Sequence, residues 1–280
     1  MSRADTRSCG ALPVLVVTCA KSPPARVSSA QQKIAAIAPE LPVSLVMGAV
    51  SEDPVIDELY DERANRMRMK RSLTRTEIAI YISHRRAWQT LLDSNAPAAL
   101  VLEDDYAIRD EGMVRQVLSD WENVLGQGRH MVKLFDFRKQ RRGTAAFVET
   151  VGSVPLVKWN SPTAGMVAYL ITREGAQRFL SRRRIYRQVD EDAKYFWELG
   201  LDIWSVPGCP IDEVSHELGG SLVEGERRLA RKKVSWRSLK GMLLTADRKL
   251  RTWWHLGREM RQARKSPASQ TSIRATRSDR

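Results

Sequence analysis

Cysteine is scarce and scattered in this chain. Cys9, Cys19 and Cys209 are the only three in 280 residues, and none belongs to a CxxC pair. An odd, widely spaced set excludes a disulfide framework and argues against a zinc motif; it implies a reduced, cytosolic protein whose thiols pack as small apolar groups. Long apolar runs are absent too, since none approaches the roughly 18–20 residues that span a bilayer. The stretch ALPVLVVTCA, behind Arg3 and Arg7, has the outline of a signal peptide. It contains Pro13, however, and runs into Lys21 and a Pro-Pro pair instead of a small-residue cleavage site, so a first β-strand over Val14–Thr18 is the better expectation. No internal repeat is found. Hydrophobic residues make up 42% of the chain, which excludes wholesale disorder and suffices for a sizeable core.

The net charge of +13 has a location. Residues 225–280 hold 17 Lys and Arg against 4 Asp and Glu, leaving 29 bases and 29 acids for residues 1–224. This is a neutral, catalytic-sized domain followed by a basic appendage, not a basic protein throughout. Within the appendage Leu239, Met242, Leu243, Ala246, Leu250, Trp253, Trp254, Gly257 and Met260 recur every three or four positions, with Lys240, Arg248, Lys249, Arg251, Arg258 and Arg261 between them. That pattern fits a helix lying on an anionic membrane surface; the alternative is a helix packed back on the domain. Charge without an accompanying nucleic-acid motif gives no reason to expect nucleic acid as a partner. Residues 266–280 read as a disordered end.

Hydrophobic periodicity organises the rest. A helix is expected over Ser28–Ala38, a strand over Pro42–Val50, and a charged helix and loop over 51–72. Thr74 and Glu77 form a capping box ahead of an apolar stripe at Ile78, Tyr81, Ile82, Trp88, Leu91 and Leu92, which predicts a long helix. The all-apolar AALVL that follows predicts a strand buried on both faces of a parallel sheet. Further elements are a helix over Met113–Leu125, strands over Met131–Phe137 and Ala164–Thr172, a helix after Arg173, and a strand over Leu201–Val206. Alternating strands and helices imply an α/β sheet with parallel pairing.

The apolar strand runs straight into Glu103, Asp104 and Asp105. Three adjacent carboxylates repel one another, and burial worsens the repulsion. They suit either a turn into water or a cation. In an extended chain Glu103 and Asp105 point one way and Asp104 the other. Two oxygen-only ligands at the carboxyl end of a central strand suit Mg2+ or Mn2+, with positions open to a phosphate-bearing substrate.

LTRTEIAIYISHRRAWQTLLDSNAPAALVLEDD resembles glycosyltransferase family 25, the lipopolysaccharide galactosyltransferases and related collagen-modifying enzymes. Leu73, Thr74, Glu77, Ser83, His84, Trp88 and Glu103–Asp105 fit the family pattern, while Thr76 replaces its usual Gly and Ile80 its usual Cys. Weaker similarity includes Arg26, with Ala25 where an Asp is usual, Tyr169 with Gly175 and Ala176, and Asp190 in a closing Val-Asp segment; Val167 lies where a histidine is often found. The resemblance covers about residues 12–215. It implies a GT-A-like, Rossmann-type mixed sheet flanked by helices; the basic helical tail over 225–265 is read from its own charge and spacing. The resemblance also implies a UDP-sugar donor, Mn2+ or Mg2+ on Glu103 and Asp105, and inverting transfer of a hexose, galactose above all. The acceptor would be a lipid-linked or polysaccharide glycan of the cell envelope, and the enzyme would sit on the cytoplasmic face of the membrane.

The remaining candidates each have a bland alternative. Asp190 is the expected catalytic base or acceptor contact; otherwise it complements a helix N-terminus. His84 and Glu77 share a helix face two turns apart, so His84 is a catalytic candidate and Glu77 a nucleotide-sugar contact; otherwise Glu77 serves its capping box and His84 is a buried, hydrogen-bonded histidine. Arg26, Asp104 and Asp136 are candidates for donor binding, Asp136 otherwise lying on a surface turn. The loop RKQRRG (138–143) would hold an anionic acceptor or remain a solvated charge run. Trp159, Trp197 and Trp204 are expected to pack in the core, with stacking on sugar as the alternative. Competing functions are a metal-dependent nucleotidyltransferase on a similar sheet, a catalytically silent binding protein, and a nucleic-acid binder.

Overall fold

The computed structural model describes residues 11–136, 144–214 and 237–265, with side chains of the last segment described for 240–261. Cys9, the basic loop 138–143, the beginning of the expected tail and residues 266–280 lie outside the described residues. Ten strands are described: β1 (Val14–Thr18), β2 (Val43–Met47), β3 (Ala98–Glu103), β4 (Tyr106–Ile108), β5 (Met131–Lys133), β6 (Ala145–Val151), β7 (Val154–Trp159), β8 (Ala168–Thr172), β9 (Ile203–Ser205) and β10 (Ile211–Glu213). The helices are α1 (Pro24–Ile37), α2 (Val55–Leu59), α3 (Glu62–Arg68), α4 (Arg75–Asp93), α5 (Glu111–Ser119), α6 (Trp121–Val124), α7 (Arg173–Leu180), α8 (Val189–Lys194), α9 (Phe196–Leu199) and α10 (Arg237–Lys265).

Eight strands form one mixed sheet in the order β2-β1-β3-β8-β5-β9-β7-β6, and β4 pairs with β10 separately. The first three run parallel, as crossovers through α1 and α4 require, and β8 then enters antiparallel between β3 and β5. Alternation along the strands feeds two cores. Val14, Val16, Leu100 and Leu102 pack against α1 and α5, whereas Leu15, Val17, Ala99 and Val101 pack against α4, α7 and α8. Helices on both faces explain why β3 carries no polar alternation. This is the expected mixed α/β sheet flanked by helices.

Several element boundaries differ from expectation for local reasons. α1 begins at Pro24, four residues early, because a proline in the first turn loses only an N–H that the helix does not use. The expected helix over Met113–Leu125 is broken at Asp120, which caps α6 with φ −118° and ψ 24°. The hairpin β6–β7 is not among the expected elements. Its turn places Gly152 at φ 57°, and Pro155 argues against a strand until the pairing is seen: β9 meets β7 only at Val157↔Ser205, so much of β7 lacks a ladder on that side.

The parallel strands β1, β2 and β3 end together, and α4 packs on one face of them with its N-terminal half bordering those ends. Its capping box is complete: the Thr74 hydroxyl accepts from the Glu77 backbone N–H, and the Glu77 carboxylate accepts from the Thr74 N–H at 3.1 Å. Gly48 permits the close approach of α4 to the end of β2, since a Cβ there would collide with Ser83 Oγ and meet the Thr18 carbonyl at 2.8 Å. Among the described residues no helix is long and apolar enough to cross a membrane.

Candidate active site

A cleft of about 300 Å³ opens at the carboxyl ends of β1 and β3, which is where ligands gather in open α/β sheets. Arg26, Glu77, His84, Glu103, Asp104, Asp105 and Asp190 all line it. Seven of the eight residues proposed from sequence therefore meet in one place, although they come from four separate parts of the chain.

The acids are not arranged by strand alternation. β3 ends at Glu103, and Asp104 and Asp105 form a turn before Tyr106, so all three face the cleft and Asp104 does not point away as extended geometry implies. Asp104 is 4% exposed and tightly held: Thr18 Oγ1 donates to Oδ2 at 2.6 Å, and Arg26 Nε lies 2.6 Å from Oδ1. The second contact is an ion pair whose angles fall outside those of a hydrogen bond. Arg26 also reaches Asp105 Oδ2 at 3.0 Å. Asp105 Oδ1 is buried with no hydrogen-bond partner among the described residues. Burial, then repulsion from Glu103, push the Asp105 carboxyl up to about 7 against the pull of Arg26, with Glu213 and Asp104 adding to the rise. One arginine is thus insufficient counter-charge for the acids around it.

Glu103 is oriented by a buried relay. Trp88 Nε1–H donates to the Tyr169 hydroxyl at 3.0 Å, that hydroxyl lies 2.9 Å from His84 Nδ1, and His84 Nε2 lies 3.1 Å from Glu103 Oε1. Indole is a donor only, so Tyr169 accepts from Trp88 and directs its own proton to Nδ1. An Nδ1 that accepts leaves the ring hydrogen on Nε2, which donates to Glu103. Burial raises the Tyr169 phenol well above its ordinary value, which keeps that proton in place. With both ring nitrogens engaged, His84 positions the Glu103 carboxylate, the arrangement of its buried, hydrogen-bonded alternative.

Glu77 and Asp136 both hold their carboxylates in ion pairs. The Glu77 carboxylate serves the helix cap, accepts a forked pair from Arg71 at 2.7 and 2.5 Å, and also accepts from Gln188 Nε2. It borders the cleft with its oxygens committed to structure, which is its capping-box alternative. Asp136 is not in the cleft at all. It is 1% exposed, and its carboxylate takes Lys133 Nζ at 2.9 Å, the Thr163 hydroxyl and Trp159 Nε1 at 3.3 Å. A lysine buried in the core needs a carboxylate beside it, and Asp136 supplies one.

The acidic run Asp190–Asp192 splits three ways. Asp190 faces the cleft from the first turn of α8, Glu191 pairs with Lys194, and Asp192 is fully buried between Arg182, Arg187 and the Tyr81 hydroxyl. Trp204 packs under Arg129 and Trp197 stacks on His255, so neither tryptophan borders the cleft. Cys209 is buried, as expected of a packing thiol, whereas Cys19 borders the cleft.

Sequence reasoning missed Thr18 and Glu213. Thr18 follows from parallel register, because Val17 pairs with Glu103 and the next pair of residues is Thr18 and Asp104. Glu213 reaches the cleft only because β10 pairs antiparallel with β4, setting it opposite Tyr106, with Val214 N–H on the Asp105 carbonyl at 2.9 Å. No local signal in the sequence marks that contact.

The donor set suits a hard divalent cation. Among the described residues no three His, Cys, Asp or Glu side chains form a ready-made metal cage. The cleft instead offers the unpartnered Asp105 Oδ1 beside a held Glu103, which matches an ion bound by one or two carboxylates and completed by substrate phosphate oxygens.

Residues 46–192, slightly over half of the chain, match the family model described as glycosyltransferase family 25 (LPS biosynthesis protein). That segment contains α4, the Glu103–Asp105 run and Asp190. No curated protein matches the chain. Solved structures similar to it include a mutant of Drosophila beta-1,4-galactosyltransferase 7 in complex with manganese, UDP-Gal and xylobiose, at TM-score 0.38 and 9% identity over 80% of each chain. A CMP:2-keto-3-deoxy-manno-octonic acid synthetase complexed with CTP has TM-score 0.36 and 9% identity over 70% of this chain and 88% of its own. Mannose-1-phosphate geranyltransferase from Thermus thermophilus has TM-score 0.36 and 12% identity over 72% of this chain and 75% of its own.

Proposed function

This chain belongs to glycosyltransferase family 25 and is a glycosyltransferase; on that footing we propose that it transfers a hexose, galactose first among them, from a UDP-sugar to a hydroxyl of a cell-envelope glycan with inversion at the anomeric carbon. The observation that carries the reading is Asp105 Oδ1, a buried carboxylate oxygen without a hydrogen-bond partner among the described residues, close to Glu103 in the cleft at the strand ends. Glu103 and Asp105 would hold Mn2+ or Mg2+, which supplies Lewis-acid stabilisation of the departing nucleoside diphosphate. Arg26, in the first turn of α1, fixes Asp104 and Asp105, and the relay through His84 fixes Glu103. Asp190, across the cleft lining on α8, takes the proton from the acceptor hydroxyl as that oxygen attacks. The acceptor is a lipid-linked or polysaccharide glycan met at the cytoplasmic face of an anionic membrane, the surface to which the basic tail is suited.

The test is a panel of UDP-sugars scored by thermal shift and by hydrolysis, with and without Mn2+, on the wild type and Asp105→Asn. Mn2+-dependent binding of one UDP-sugar, lost in the variant, supports the proposal. Binding indifferent to both metal and substitution removes it, and turnover of a nucleoside triphosphate in place of every nucleotide sugar would transfer the site to the nucleotidyltransferase reading.

A further inference from the structure

Helix α10 is amphipathic in a way that its docking does not use. The face turned to the domain is small and polar. Gly241 lies against the Lys70 side chain, Arg248 donates to Ser161 Oγ at 3.2 Å, Thr252 is buried, His255 stacks on Trp197 with centroids 5.7 Å apart, and Glu259 pairs with Lys158 at 2.6 Å. Among the described side chains of the segment Leu256 is the large aliphatic residue that is fully buried, and Met260 is partly buried against the same core. The apolar residues point the other way: Met242 is 59% exposed, Leu243 63%, Leu250 64%, Trp253 70% and Trp254 48%. At 3.6 residues per turn these five, with Ala246 and Gly257, fill one continuous arc of about 120° opposite the docked stripe. Lys249 borders the arc on one side, and Lys240, Arg251 and Arg258 on the other. Asp247, the acid on that border, is already paired with Arg251 at 2.9 Å.

We infer that α10, while docked, is a membrane-seating surface: Met242, Leu243, Leu250, Trp253 and Trp254 enter the headgroup layer of an anionic phospholipid bilayer, and the basic borders bind its phosphates. Packing on the domain and contact with lipid are then simultaneous, through opposite faces. An apolar arc with Trp at its edge and bases on both flanks fits the boundary between acyl chains and charged headgroups. A second copy of the chain fits poorly, because an isologous contact would bring the same basic borders face to face. The inference deepens the proposed site of action and rests on that reading for its purpose, yet it is measured separately from sugar transfer.

The test uses the full-length chain and sedimentation with vesicles of phosphatidylcholine alone or mixed with phosphatidylglycerol. The wild type should sediment with the anionic vesicles and not with the neutral ones. Leu250→Ser with Trp253→Ser, and separately Lys249→Gln with Arg258→Gln, should each weaken binding at least about tenfold. Neither pair should change thermal stability or hydrolysis of a soluble UDP-sugar, since all four side chains point away from the domain; the charge pair alone suffices if the apolar pair fails to fold. Absence of anionic-vesicle binding by the wild type, or wild-type affinity in both variants, overturns the inference. So does a wild-type dimer that Leu250→Ser with Trp253→Ser dissolves, which would give the surface to a second copy, or duplex DNA displacing the protein from vesicles, which would give it to nucleic acid.

Discussion

Replacing Tyr169 by Phe removes one oxygen from the relay that aims Glu103, and the consequences can be worked from its partners. Trp88 and His84 are 0% and 1% exposed. Without the hydroxyl, the Trp88 N–H has no acceptor and His84 Nδ1 has no donor. Leaving a buried polar group unsatisfied costs about 1–3 kcal/mol, so the pair should cost roughly 2–6 kcal/mol. At about 2–4 °C per kcal/mol for chains near this length, the melting temperature should fall by roughly 4–24 °C. The functional effect is separable. His84 loses the bond that fixes its tautomer and ring plane, and Glu103 loses its fixed donor. Removal of such an outer partner typically weakens metal binding by about 10–100-fold. Titrating Mn2+ against the thermal shift of the folded variant, in the presence of UDP, reads this directly. Trp88→Phe is the control. It takes away the far end of the relay and disturbs the stack on Phe179, whose centroid is 4.5 Å distant, but it leaves Tyr169–His84–Glu103 intact. It should lower stability at least as much and leave Mn2+ affinity within about twofold. Equal loss of Mn2+ affinity in both variants would refute the relay and reduce the effect to general softening of the core.

Three further outcomes follow from the same geometry. Asp190→Asn should retain UDP-sugar binding while kcat for transfer falls by about 10²–10⁴-fold, as for loss of a positioned base; an unchanged kcat would place the base elsewhere. Arg26→Met strips the cation from two carboxylates at 5% and 9% side-chain exposure and should cost about 3–5 kcal/mol in urea unfolding, with part of the loss restored by Mn2+ but none by Na+. Burial pushes the Glu198 carboxyl up, but hydrogen bonds and charge from Arg187 and Arg182 outweigh it and hold the group at about 2. A depressed acid stabilises the fold above its unfolded value of 4.5 and ceases to do so as pH falls towards 2. Urea unfolding of Glu198→Gln should therefore lose part of the acid limb between those limits, and an identical acid limb in wild type and variant would contradict the assignment.

The legible parts of the fold are those whose cause is local. The capping box at Thr74 and Glu77, the apolar stripe of α4 and the unbroken apolar run of β3 are each dictated by nearest neighbours in the chain, and each forms as expected. So does the meeting of Arg26, His84, Glu103–Asp105 and Asp190, because parallel strands in an α/β sheet deliver their carboxyl ends to one edge. Errors occur where the deciding partner is distant. Asp136 reads as a strand-end acid until the distant Thr163 closes on it and on the Lys133 buried beside it, and Glu213 has no meaning before β10 finds β4. The β6–β7 hairpin is obscured by Pro155, whose cost depends on how little of β7 meets β9. The tail holds a subtler trap. Sequence offers a helix on a membrane or a helix packed on the domain as alternatives, yet the helix packs through Gly241, Thr252 and Leu256 and leaves Met242, Leu243, Leu250, Trp253 and Trp254 outside.

The cleft and the tail depart from the rule of local consistency in opposite senses, and both departures point outward from the chain. In the cleft, polar atoms are buried without enough counter-charge: Arg26 answers Asp104 and part of Asp105, and nothing among the described residues answers Asp105 Oδ1. Along α10, apolar area is left in water although a docked helix could have hidden it by turning about its axis. A chain optimised for stability alone would replace Asp105 with a neutral group and rotate α10. That the sequence does neither is expected when the missing partner is supplied from outside, a cation with a diphosphate in one place and a charged apolar boundary in the other. The two partners differ in kind, so adding one should leave the other's deficit intact. Mn2+ with UDP should raise thermal stability equally in the wild type and in Leu250→Ser with Trp253→Ser, whereas anionic vesicles should protect only the wild type. Loss of the Mn2+ response on changing the outer face of α10 would mean that the two regions are one coupled unit, and the separation argued from their geometry would fail.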